Sequence, residues 1–176
     1  MATKFQDDLV AMIPHLRAFA RSLTGSADTA DDLVQDTVAR ALRAQHQYKP
    51  DTNLKAWLFT ILRNQHISTM RRARISSTCI DDCPESLMSV PASQSSHMQL
   101  MDVQRAMMKL TLEHREALLL IGAAGVSYEE AAAICGCPVG TVKSRLSRAR
   151  RELLELLSDT PRYATRSREA LQAMAA

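Results

Sequence analysis

Apolar residues recur at spacings of three and four along most of this chain, which predicts helices rather than sheet. From residue 4 to 24, Phe5, Leu9, Met12, Ile13, Leu16, Phe19, Ala20 and Leu23 fall on one side of a first helix. Pro14 must kink that helix or begin its second part, because it lacks an N–H and crowds the preceding turn. Gly25 is suited to the position just past its end. Ser26 or Asp28 can cap a second helix running to about Gln45, with Ala30, Leu33, Val34, Thr37, Val38, Ala41 and Leu42 toward a core. Asp28, Asp31, Asp32 and Asp36 crowd its first turns, where the helix dipole favours negative charge. His46 to Asn53 carries Lys-Pro-Asp and reads as a loop. A third helix follows from Leu54 to about Arg74, apolar through Leu54, Trp57, Leu58, Ile61, Leu62 and Ile67. Its later part is basic through Arg63, Arg71, Arg72 and Arg74, with Asn64, Gln65 and His66 among them.

The period then lapses. Residues 76–97 hold two prolines and many serines, and read as a flexible linker. A helix resumes near Met98, with Met101, Val103, Ala106, Met107 and Leu110 on one face. Thr111 can cap the next helix, with His114 at its third position; Leu112, Ala117, Leu118, Leu120 and Ile121 fill a core side, and Gly122 to Gly125 closes it. Ser127 and Glu130 have the spacing of a capping box. Ala131 to Ile134 give a slim apolar helix, Cys135-Gly136-Cys137 makes a turn, and Pro138 suits the first position of another helix. On that last helix Val139, Val142, Leu146, Ala149, Leu153 and Leu156 make one stripe. The expected architecture is all-α: two small helical domains, 1–75 and 98–160, the second a helix-turn-helix domain, with a short tail at 161–176.

Charge sharpens the picture. The net charge is only +3, so its distribution matters more than its total. No acidic residue lies between Pro138 and Arg151, where Lys143, Arg145, Arg148, Arg150 and Arg151 crowd one helix. Such a cluster repels itself unless an anion meets it. Thr141, Ser144 and Ser147 are short enough to let the helix approach phosphates. A basic second helix after a tight turn is the means by which helix-turn-helix proteins enter the DNA major groove.

No apolar run is long enough to span a membrane, and the N-terminus lacks the basic-then-apolar order of a signal peptide, which predicts a cytoplasmic protein. Its four cysteines should then be reduced thiols. Cys79 and Cys83, with Cys135 and Cys137, offer only a weak zinc pattern, because C-x-C is too tight for the usual knuckle. No metal or other cofactor is expected. No phosphate-cradling glycine loop and no nucleophile–base pairing is visible, so no enzymatic chemistry is expected either.

Two segments carry a family resemblance. VQDTVARALRAQHQYKPDTNLKAWLFTILRN resembles region two of the extracytoplasmic-function sigma factors, and VSYEEAAAICGCPVGTVKSRLSRARREL resembles their region four. The wording from Asn53 to Asn64 is most similar to the general-stress-response branch of alphaproteobacteria. The resemblance implies a protein that binds core RNA polymerase and directs it to promoter DNA. It places polymerase docking on Asp32, Leu33, Val34, Gln35 and Asp36. It places −10 element recognition on Tyr48, Asn53, Trp57, Arg63, Asn64, Arg71 and Arg72, where a base flipped from the stack would be captured. It places −35 element recognition on Thr141, Lys143, Ser144, Arg145 and Arg148. A small anti-sigma protein is the implied regulator. Three other readings compete with this one. A two-component output regulator needs a receiver domain with a phosphorylatable Asp on a strand, and the chain has no such α/β pattern. A sigma-like mimic that sequesters an anti-sigma factor does not need the unbroken basic helix. A metal-dependent enzyme would have to use the cysteines.

Overall fold

The computed structural model describes residues 4–50, 52–76 and 94–159. All regular structure among them is helical. The chain divides into two compact units, residues 1–87 with 133–136, and residues 88–132 with 137–176. Most of the expected linker, at 77–93, lies outside the described residues, as do Cys79, Cys83 and the expected tail.

The first unit packs three helices against one another: α1 (Lys4–Thr24), α2 (Ala27–Arg43) and α3 (Leu54–Ser76). Helix α1 runs through Pro14 without a break, so the proline neither ends nor restarts it. The carbonyl deprived of an N–H is that of Val10, a residue 63% exposed, where solvent can replace the lost bond. Gly25 takes φ 75 and its amide closes onto the Arg21 carbonyl at 2.9 Å, ending the helix as expected. Of the two candidate caps it is Ser26 that serves, its hydroxyl accepting from the Thr29 amide. Asp31 is held by Arg17 at 2.8 Å and Arg21 at 3.8 Å across the α1–α2 corner.

The core joins Leu16, Phe19 and Leu23 of α1, Ala30, Leu33 and Val34 of α2, and Leu58, Phe59 and Leu62 of α3. Phe19 and Phe59 meet at 4.7 Å between ring centroids. The stripe expected on α3 is therefore rotated by about one residue, with Phe59 buried while Trp57 and Ile61 are half-buried. Helix α3 is covered by both α1 and α2, and its buried arc follows those two neighbours. Leu42, expected in the core, is exposed near the end of α2.

The second unit begins with α4 (Gln94–Lys109), which starts four residues before the expected Met98. Helix α5 (Leu112–Leu118) widens into a π-type turn, Leu119–Ala123, and Gly125 at φ 65 finishes the corner. Thr111 caps α5 by accepting from the His114 amide at 3.3 Å. The His114 ring lies 2.8 Å from a Glu152 carboxylate oxygen, tying the start of α5 to the last helix. Arg115 is buried, and its guanidinium donates to the carbonyls of Met107, Met108 and Leu110 at 2.8–3.1 Å. Burial pushes this group below the usual arginine range, yet an arginine keeps its proton, and the carbonyls replace lost water. Helices α6 (Tyr128–Cys135) and α7 (Val139–Ser158) follow in the chain, with α7 packed on α4 and α5.

Phe59→Ala is expected to cost about 3–5 kcal/mol of stability in urea unfolding. Leu42→Ala should stay within about 0.5 kcal/mol of the parent. Equal losses at the two positions would contradict this placement of the core.

Candidate nucleic-acid interface

The approach to α7 is built from backbone geometry. The Ser127 hydroxyl accepts from the Glu130 amide at 3.1 Å, and the Glu130 carboxylate accepts from the Ser127 amide at 2.8 Å, so the expected capping box is closed in both directions. At the other end of α6, Gly136 takes φ 65. The Cys137 amide reaches back to the Ala132 carbonyl at 3.1 Å and the Gly136 amide to the Ala133 carbonyl at 3.3 Å. Pro138 is the residue before α7 rather than its first helical residue, with ψ 149 and its carbonyl accepting from the Thr141 and Val142 amides. A proline offers no side-chain acceptor, so no side chain caps the first turn of α7, and no acidic residue stands there. The positive end of the helix dipole is left for an outside anion.

On α7, Val142, Leu146, Ala149 and Leu157 are buried, while Val139, Leu153 and Leu156 are half-buried. Thr141, Ser144, Arg145 and Arg148 recur at the spacing of one helical face, to one side of the buried stripe. Lys143 stands on the other flank, its ammonium 5.5 Å from the centre of the Tyr128 ring. The five expected −35 residues therefore form two groups. The Ser144 hydroxyl donates to the Thr141 carbonyl at 2.9 Å. The Arg145 guanidinium is half-buried beside the Cys137 sulfur at 3.8 Å. Arg148 is exposed and makes no ion pair among the described residues. Arg151 pairs with Glu155 at 3.8 Å, an exposed contact worth little.

The loop before α3 is ordered by three aromatic rings. Tyr48 lies 5.4 Å from Trp57 and 5.6 Å from Phe5, with Phe5 and Trp57 6.2 Å apart. The Tyr48 hydroxyl donates to the Thr52 carbonyl at 2.9 Å. Asn53 caps α3, its side-chain oxygen accepting from the Lys55 amide at 3.0 Å and the Ala56 amide at 3.4 Å. These polar groups, expected to meet a base, already serve the loop. Along α3, Asn64 and Arg71 are exposed, opposite the buried Leu58 and Leu62. Arg63 is half-buried and Arg72 exposed, on the two shoulders of that face.

The five residues expected to dock on polymerase, Asp32 to Asp36, do not lie on one surface of α2. Leu33 is 7% exposed and Val34 3% exposed, so neither presents an apolar surface to a partner. Consecutive helical residues point 100° apart, and five in a row cannot share one face. Asp32, Gln35 and Asp36, at i, i+3 and i+4, do share one, and all three are exposed. Gln65 of α3, to which no role was given from the sequence, donates to the Asp36 carboxylate at 2.9 Å. The ring contacts of Phe5 with Tyr48 and Trp57, and of Tyr128 with Lys143, have no signal in local spacing.

Among the described residues no three His, Cys, Asp or Glu side chains gather as metal ligands. No described helix is long and apolar enough to cross a membrane.

Residues 9–63 match the family described as the Sigma2 domain of PhyR, and residues 100–153 match Sigma-70, region 4. The ECF RNA polymerase sigma factor EcfG of Rhodopseudomonas palustris is 48% identical, the aligned part covering 89% of this chain and 87% of that one. The sigma factor RpoE of Bartonella quintana, solved in complex with the anti-sigma factor NepR, superposes with a TM-score of 0.80 at 49% identity, covering 89% of this chain and 98% of that one. CnrH, solved with the cytosolic domain of CnrY, superposes with a TM-score of 0.65 at 30% identity over 88% of each chain.

Asn53→Ala should lower stability by about 1 kcal/mol through loss of the α3 cap, and Asn53→Asp should restore most of it. Urea unfolding of the two variants checks this, and an alanine variant as stable as the parent would remove the cap from the account.

Proposed function

The chain belongs to the extracytoplasmic-function sigma factors of RNA polymerase, and we propose that it joins core RNA polymerase and brings it to promoters carrying matching −35 and −10 elements. The first sigma region, residues 1–75, docks on polymerase through Asp32, Gln35 and Asp36. It meets the −10 element with the Tyr48 and Trp57 rings, Asn53 holding the loop, and with Arg63, Asn64, Arg71 and Arg72 on α3. The second sigma region, residues 98–160, lays α7 in the major groove of the −35 element. Thr141, Ser144, Arg145 and Arg148 face bases and backbone there, and Lys143 takes a phosphate on the other flank. The protein itself supplies binding energy for promoter opening, and the polymerase supplies the catalysis.

One observation carries this reading. Helix α7 begins with no side-chain cap and no acidic residue, and behind that start it exposes Lys143, Arg148, Arg150 and Arg151. Such a surface is poorly suited to water alone and well suited to a polyanion of fixed spacing. Regulation follows from the kinship. The Bartonella relative was solved with an anti-sigma factor, and a small anti-sigma protein is the proposed partner here, holding the factor inactive in the cytoplasm of unstressed cells.

Run-off transcription with core polymerase on a genomic promoter library tests the whole reading. A helix-turn-helix regulator or a sigma-like mimic yields no transcript, and a sigma factor yields transcripts from a defined set of promoters. On a responsive promoter, Arg148→Ala should cost about 1–3 kcal/mol if the guanidinium grips a guanine in two-pronged fashion. Lys143→Ala should instead reduce the salt slope by about 1 and leave sequence choice alone. Transcription unchanged in both variants would sink the assignment of α7. For docking, Asp32→Arg combined with Gln35→Ala, with Leu33 left in place, should abolish co-purification with core polymerase while keeping the helical content. Recovery of that variant with polymerase at the parent yield would rule the α2 face out.

A further inference from the structure

Gln65 sits on the buried side of α3, one and two turns beyond Leu62 and Leu58, and is 5% exposed. Its amide nitrogen donates to Asp36 Oδ2 at 2.9 Å. A carboxylate only accepts, so the orientation of the amide is settled: Nε2 faces Asp36 and Oε1 turns inward. There Oε1 finds no hydrogen-bond donor among the described residues. A buried carbonyl oxygen without a donor is unfavourable, and methionine or leucine would occupy the same space without that penalty. What glutamine adds over either is a donor to Asp36.

Asp36 needs one for a reason that lies outside the fold. It shares an exposed face with Asp32, one turn away, and two carboxylates at that spacing repel. A short exposed side chain also moves among its staggered rotamers unless something selects one. We infer that Gln65 is a positioning residue for polymerase docking. It holds Asp36 in one rotamer and leaves Oδ1, which bonds to no described residue, for an arginine or lysine of the polymerase. The gain is preorganisation, since the carboxylate is ordered before the partner arrives. This rests on the proposed docking through Asp32, Gln35 and Asp36. It adds a residue that never touches the polymerase.

The test titrates the full chain against labelled core RNA polymerase and follows urea unfolding of the same samples. Gln65→Met, with Gln65→Leu as a second shape, should keep or raise the unfolding midpoint. The same variants should bind polymerase several-fold more weakly, up to about tenfold, the size expected when one side chain must be ordered on binding. Asp36→Ala should weaken binding by itself, and Gln65→Met added to it should weaken it no further. Parent affinity in both Gln65 variants, alongside a loss in Asp36→Ala, overturns the inference and spares the docking reading. Parent affinity in Asp36→Ala overturns the inference, and joined with parent affinity for the α2 face variant it overturns docking as well. A fall in the midpoint of both Gln65 variants assigns the side chain an ordinary structural role and also overturns it, as does an additive loss in the double variant.

Discussion

At Gly136 the backbone enters the left-handed region, and the amides of Gly136 and Cys137 close onto the carbonyls of Ala133 and Ala132. A residue with a Cβ is strained at that φ, so the turn depends on glycine. The direction in which α7 leaves α6 is set within these few atoms. Pro138, with φ held by its ring, then starts the helix without bringing a side-chain acceptor to its amides. The same residues that make the turn tight thus leave the helix end open to an anion. Shape and electrostatics at the start of α7 come from one local choice of backbone conformation.

Features confined to a few consecutive residues were legible in the sequence. The Ser127–Glu130 box, the Thr111 cap, the Ser26 cap and the turns at Gly25 and Gly136 all formed where their spacing predicts. The helical stripes were legible too, though on α3 the buried arc is shifted, because periodicity finds a face without saying which neighbours will cover it. Pairings across long stretches were not legible. Phe5 lies 43 residues before Tyr48, and nothing local ties them. Arg115 and Gln65 break their stripes as polar residues, and only the packed structure shows that both are inside.

The docking segment shows how two kinds of sequence argument can disagree. Periodicity placed Leu33 and Val34 on the core side of α2, and family resemblance marked the whole run from Asp32 to Asp36 as surface. Both residues are in the core. A contiguous motif is a statement about order along the chain, whereas a contact surface on a helix is a statement about angle around its axis. Asp32, Gln35 and Asp36 are the members of that run that lie exposed on one face.

Arg115 has a consequence for how this protein can vary. Helix α4 ends and α5 begins within three residues, and the carbonyls of Met107, Met108 and Leu110 all converge on one flat guanidinium. The angle of that corner is therefore templated by the dimensions of a side chain, as a joint is by its pin, rather than by the length or composition of the connecting backbone. The bonds to Arg115 use only backbone carbonyls, which every amino acid has, so they place no demand on the side chains of Met107, Met108 and Leu110, whatever packing asks of them. The pin itself is hard to replace, since lysine gathers its donors on one rotatable nitrogen, whereas Arg115 uses two nitrogens held in a fixed plane.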